Sequence, residues 1–273
     1  MRSFRARRAA CLAPFFLMSA LATPAAAAGD LLVAPTRVVL NGARGTEVIL
    51  NNIGDETATY RISLELRRMT KEGQLEEVTA PTAEEQAALS MISYAPRRVT
   101  LEPNQPQAIR LGIRAPEGLP DGEYRAHLLF RAVQDAKPAT EKAVPSSGFT
   151  VALTPIYGVT IPVIVRFGNL EAQAAIANPK LEKEGGREAV SFDLSRSGNR
   201  SLYGEVRVLK PGVTKPVVLA RGIAVYKEMG SRIVKLPVLP EVTGSIAGPA
   251  TIQYREMPED GGGLLAEAQV VLR

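Results

Sequence analysis

The chain has 273 residues, 45% of them apolar and 5% aromatic, with one cysteine, one histidine and no tryptophan. Cys11 and His127 each stand alone of their kind, which excludes a disulfide framework and a centre built on clustered cysteine or histidine ligands. Lys and Arg number 33 against 28 Asp and Glu; four of the basic residues fall in the first eight positions, and without them 29 meet 28, so no basic footprint for nucleic acid remains.

In chain order, Arg2, Arg5, Arg7 and Arg8 precede an apolar run from Ala9 to Ala22, and Ala26 and Ala28 supply a small-x-small site. This is the pattern of a secretory signal peptide over residues 1–28, cleaved after about Ala28. The run is too short to span a bilayer and holds Pro14, and no later run is apolar enough, so the mature chain is expected to have no transmembrane segment.

Short alternating segments follow, punctuated by Gly, Pro, Asn and Asp, which is an all-β pattern. Leu31 to Leu40 reads as a strand with Pro35 in it, hence an edge position. Thr46 to Ile53 is a second, and Thr57 to Met69 a third, with Tyr60, Ile62, Leu64 and Leu66 on one face. Lys71-Glu72-Gly73 turns the chain into a short strand at Leu75 to Thr79. Pro81 to Leu89 is the one helical segment, because Thr82 and Glu85 have capping-box spacing. Strands ending at Val99 to Leu101, over Ala108 to Ile113 and over Tyr124 to Val133 come next. In the last of these Tyr124, Ala126, Leu128 and Phe130 alternate with Arg125, His127, Leu129 and Arg131. Residues 134–148 read as a polar loop.

Residues 149–166, FTVALTPIYGVTIPVIVR, carry the longest alternation. Phe149, Val151, Leu153, Pro155, Tyr157, Val159, Ile161, Val163 and Val165 share one face. Pro155 and Pro162 cannot donate backbone hydrogen bonds, which sends this strand to a sheet edge or breaks it in two. A long apolar edge invites a pairing partner. After a hinge at Phe167-Gly168-Asn169, further strands read over Ala189 to Leu194, Leu202 to Leu209, Val217 to Ala220, Ser231 to Leu236, Ala250 to Tyr254 and Leu264 to Leu272. The expected architecture is all-β: two β-sandwiches in tandem, residues 29–167 and 168–273, joined at Gly168.

Catalytic patterns do not emerge. The sole histidine lies in a strand between arginines and reads as a half-buried structural residue rather than a general base. There is no Ser-x-x-Lys and no glycine-rich phosphate loop between a strand and a helix. No catalytic residue, cofactor or metal site is assigned, and the chain is read as non-enzymatic.

The order of features resembles the N-terminal domain of the periplasmic pilus-assembly chaperones of the chaperone–usher pathway. The resemblance rests on PTRVVL at 35–40, the P-R-R-x-x-L-x-P-x-x-x-Q-x-x-R-L run at 96–111, YRAHLLFRAV at 124–133, the polar loop and the alternating strand ending in VIVR at 163–166. It covers roughly residues 30–167. It implies two immunoglobulin-like domains at an angle, and a periplasmic chaperone that binds an exported β-rich subunit of pilus type. Binding would be by donor-strand addition. Val151, Leu153, Tyr157, Val159 and Ile161 would be the client contacts, Arg37 the anchor for the client's terminal carboxylate, and an outer-membrane usher a further candidate partner. One position departs from the family's pattern: Pro162 stands where that pattern has a second cation, a lysine. A structural or adhesion-type β-sandwich of the cell envelope is the alternative reading.

Overall fold

A computed structural model describes residues 31–41, 45–133 and 156–273. The expected leader at 1–28, the polar loop at 134–148, and Val151 and Leu153 lie outside the described residues.

The first sandwich is built from β1 (Leu31–Ala34), β2 (Val38–Asn41), β3 (Thr46–Asn52), β4 (Ala58–Glu65), β5 (Arg67–Met69), β6 (Leu75–Glu77), α1 (Ala83–Met91), β7 (Ile92–Ala95), β8 (Arg98–Leu101), β9 (Pro106–Ile113), β10 (Gly122–Val133) and β11 (Gly158–Phe167). One sheet runs β1-β3-β9-β7 and the facing sheet β2-β11-β10-β4-β8. Twice the chain crosses from one sheet to the other at a proline. Pro35 separates β1 from β2 and Pro96 separates β7 from β8, in the matching words A-P-T-R-V and A-P-R-R-V. A proline gives the ladder no N–H, so the strand stops there and resumes in the other layer. The expected single strand over 31–40 is therefore two, each at a sheet edge.

Inward faces of both sheets meet in one core that includes Leu50, Tyr60, Ile62, Leu101, Ile109, Leu128, Phe130 and Val163. Buried apolar area of this kind stabilises at about 25 cal/mol per Å². Helix α1 closes one side of that core with Ala88 and Met91, and its capping box at Thr82 and Glu85 is formed as the spacing predicts. The Thr57–Met69 run breaks after Glu65, and β5 and β6 form a separate two-stranded hairpin.

The second sandwich comprises β12 (Ala172–Glu184), β13 (Arg187–Gly198), β14 (Leu202–Leu209), β15 (Val218–Val225), β16 (Ser231–Pro237), β17 (Gly248–Glu256) and β18 (Leu264–Leu272). Its sheets run β12-β13-β16 and β15-β14-β17-β18 around Phe192, Leu194, Val206, Ile252 and Tyr254. The chain consists of two immunoglobulin-like β-sandwiches in tandem. Between them Gly168 has φ +76°, and a Cβ there would lie 2.1 Å from the Asp121 carboxylate, so only glycine fits this turn.

Candidate functional site: the open edge of β11 and the seam behind it

Strand β11 pairs antiparallel with β10 along its whole length, from Gly158↔Arg131 to Phe167↔Gly122. On its other side it pairs parallel with β2, but only from Val163↔Val38 to Arg166↔Asn41. Among the described residues, 158–162 therefore have a neighbour on one side alone. The cause is local: Pro35 and the bend at 35–37 carry the preceding chain off to the other sheet. Carrying the parallel register back one residue brings Arg37 level with Pro162, where the two-sided pairing stops. Just before the strand, Ile156 and Tyr157 are 51% and 55% exposed, and Tyr157 still accepts a backbone hydrogen bond from Ala132 at 3.0 Å.

In its described part, from Tyr157 on, the donor face expected over 149–166 is exposed at one end and buried at the other. Tyr157 is exposed, Val159 is partly buried against the first core, and Ile161 is 2% exposed inside it beside Val163 and Val165. Ile161 is thus corrected from a client contact to a core residue. The alternation is real, but the facing sheet closes over this end of the strand. A side chain already packed in its own sandwich is not free to enter another.

The opposite face of β11 and β10 meets the second sandwich. Ile164 packs with Ala224 and Tyr226, supported by Val39, Met69, Leu75 and Tyr203. Two arginines stack on tyrosines across this seam: Arg37 lies over Tyr203 at 4.3 Å and Arg125 over Tyr226 at 3.5 Å. Such pairs are worth about 0.5–2 kcal/mol, more as water is excluded. Arg125 also donates to Glu228 at 2.5 Å and to the Arg67 carbonyl at 2.9 Å. The Glu123 carboxylate, 3% exposed, accepts from Arg166 Nε at 2.9 Å and from the Ser201 amide at 3.1 Å, and also meets the Ser201 hydroxyl. The β5–β6 hairpin reaches over as an arm, with the Ile233 amide donating to the Lys71 carbonyl at 2.7 Å.

Arg37, like Arg125, leaves one guanidinium nitrogen unmatched. Its Nη1 is buried, and no partner meets it among the described residues. Burial lowers its pKa and the nearby Arg166 lowers it further, against the pull of Tyr226, Glu123 and Tyr203. A desolvated guanidinium with a spare N–H favours an incoming anion. Two clefts flank the seam. One, of about 430 Å³, is lined by Asn41, Arg166, Gly168 and Arg200; the other, of about 600 Å³, by Leu66, Arg68, Thr82, Glu84, Lys227 and Glu228.

His127, expected to be half-buried, is fully buried on this outward face, opposite Pro162 and Glu65. The second sandwich and the β5–β6 arm cover a face that in isolation would be wet. Glu123, Arg125, Tyr203 and Tyr226 were not singled out from the sequence; the one available sign was an acidic and two basic residues on one face of an otherwise apolar strand. Among the described residues no helix is long and apolar enough to cross a membrane, and no group of three His, Cys, Asp or Glu side chains is arranged to hold a metal ion.

No family model matches the sequence, and no curated protein matches it. Solved structures similar in fold include the YadV chaperone (13% identity, 88% of this chain and 100% of that chain, TM-score 0.47). The E. coli chaperone DraB is another (13% identity, 90% and 98%, TM-score 0.46). A third is the Salmonella enterica SafA pilin in complex with the SafB chaperone (16% identity, 91% and 99%, TM-score 0.45).

Proposed function

We propose that this chain is an exported, non-enzymatic chaperone of the periplasm, with residues 29–167 and 168–273 as its two domains after removal of a leader at about Ala28. It binds an exported β-rich subunit of pilus type by strand addition along the edge of β11. The observation that carries this reading is the one-sided pairing of 158–162 beside Arg37. A sheet edge with unpaired N–H and C=O groups is a template for another strand. Arg37, level with the end of that edge, supplies the cation for the terminal carboxylate of the added chain. A charge-assisted hydrogen bond of this kind contributes about 1.5–3 kcal/mol. Client side chains are met by the stretch before β11, with Tyr157 as its described member and Val151 and Leu153 as the positions that continue its face.

The test is co-expression in the periplasm with an exported, aggregation-prone β-rich subunit of pilus type. A soluble one-to-one complex is expected, with the subunit aggregating when the chain is absent. Leu153→Glu should abolish recovery of that complex. Unchanged recovery would rule out strand insertion through this stretch. Arg37→Ala should weaken binding while leaving the chain folded, and amidating the subunit's C-terminus should weaken wild-type binding to the same degree. Equal affinity for the amidated subunit would remove the carboxylate role.

A further inference from the structure

Across the outward face of the first sandwich, three arginines stand in one row on three neighbouring strands. Arg131 on β10 is directly opposite Arg61 on β4, and Arg61 is directly opposite Arg98 on β8. All three are exposed. No carboxylate meets any of them, by ion pair or hydrogen bond, among the described residues. Like charges directly opposite on a sheet are destabilising, and a protein usually interleaves them with acids. Here the row is left uncompensated. It lies four residues along β10 from His127, on the same face.

The row ends at the open edge. Arg131 is paired on its other side with Gly158, the first residue of β11. Gly158 has no side chain on that face, and a Cβ there would lie 3.2 Å from Leu129 Cδ1. Between Arg131 and a strand laid beside β11, Gly158 therefore interposes no side chain of its own, and the Leu129 side chain borders the gap. Two strand spacings of about 4.8 Å separate the two backbones, a span that an arginine and a glutamate side chain cover together.

We infer that this row selects the partner by charge: the strand added beside β11 carries Asp or Glu on its outward face opposite Gly158, where Arg131, backed by Arg61 and Arg98, meets the carboxylate. The inference rests on strand addition at this edge and adds to it the chemistry of the added segment. An anionic membrane is the other surface such arginines could meet. The peptide is favoured because the row is collinear with the unpaired edge and ends against it.

The experiment uses the full mature chain and three labelled strand-length peptides, alternating Val with Glu, Val with Gln, or Val with Lys, read by fluorescence anisotropy. The expected order of affinity is Glu, then Gln, then Lys, with Glu about threefold or more tighter than Gln at low salt. The gap should shrink as salt screens the exposed pair. Arg131→Gln should close most of it and the triple variant with Arg61→Gln and Arg98→Gln the remainder, while Arg187→Gln on the second sandwich leaves it unchanged. Thermal melts should show the triple variant folded and no less stable than wild type, since repulsion is removed. Equal binding of all three peptides, or an order that survives the triple substitution, overturns charge selection and leaves strand addition standing. Failure of every peptide to bind overturns strand addition at this edge and the selection with it. Arginine-dependent binding to phosphatidylglycerol vesicles without preference among the peptides overturns the inference in favour of a membrane.

Discussion

Lowering the pH from about 8 to about 5 should leave the imidazole of His127 uncharged for as long as the chain is folded. Its side chain is 0% exposed, and neither ring nitrogen has a partner among the described residues. The cross-strand carboxylate, Glu65, is already held by Arg67 and Thr160, each at 2.6 Å. Burial first, then the guanidiniums of Arg125 and Arg67, push the imidazole pKa down to about 3. In the unfolded chain the same group titrates near 6.5. Protons therefore bind the unfolded state in preference. The stability owed to a neutral His127 is complete above about pH 6.5 and is lost progressively as the pH falls toward the folded value. At about pH 5 the loss is about 1.5 pH units at 1.36 kcal/mol each, or about 2 kcal/mol. The assay is direct, because one histidine gives one Hε1 resonance. That resonance should not move between about pH 8 and pH 5. Urea unfolding of wild type and His127→Leu supplies the energy: the wild type should lose about 2 kcal/mol more over the same interval, with carboxylate effects common to both. A resonance that titrates with a midpoint near 6.5, or parallel pH dependence in the two proteins, would refute the reasoning.

Arg125→Ala removes a side chain 10% exposed that stacks on Tyr226 and bonds Glu228. It should cost about 2–4 kcal/mol and leave Glu228 without its cation; calorimetry should then resolve separate melting of the two sandwiches where wild type melts as one. Ile161→Ala should cost about 2–4 kcal/mol in chemical denaturation, as truncation of a closed core does. By contrast, Tyr157→Ala, at a side chain 55% exposed, should change stability by less than about 0.5 kcal/mol and lower recovery of the subunit complex instead.

How far the sequence reveals the molecule depends on which link decides each feature. In β10 the alternation of Tyr124, Ala126, Leu128 and Phe130 with Arg125, His127, Leu129 and Arg131 is intrinsic to a pleated strand, so the inward face was legible. The burial of His127 and Arg125 was not, because the cover comes from residues such as Tyr226 and Glu228, about a hundred positions away. Strand β12 was missed for a different reason. Ala172, Ala174, Ala175 and Ala177 favour helix and give little alternation, and Asn178-Pro179 reads as a break. In the fold the bulge there is tolerated between Ala177 and Lys180, where the register with β13 shifts. Over 157–165, period two specifies which residues share a face, not what covers that face. Tyr157 and Ile161 are indistinguishable by spacing, and the core of the first sandwich separates them by enclosing only the later one. Thr82 and Glu85, whose interaction is entirely local, were predicted to the residue.

The same long-range cover gives a physical reason for Pro162 in place of the lysine that the sequence resemblance calls for. Position 162 lies on the outward face, opposite His127 and level with Arg37. The seam already holds several guanidinium groups, and those of Arg37 and Arg125 each keep a buried nitrogen with no partner among the described residues. Its carboxylates are engaged: Glu123 by Arg166 and Ser201, Glu228 by Arg125 and the Met69 amide. An ammonium at 162 would add a further desolvated cation beside carboxylates already engaged among the described residues, at a cost of several kcal/mol. Proline fills the place with neither charge nor donor. Arg37 is then the cation level with position 162, partly buried under Tyr203 of the second sandwich. On the proposed anchor role, an approaching carboxylate would meet in Arg37 a guanidinium whose desolvation has been met in part by folding and not by binding.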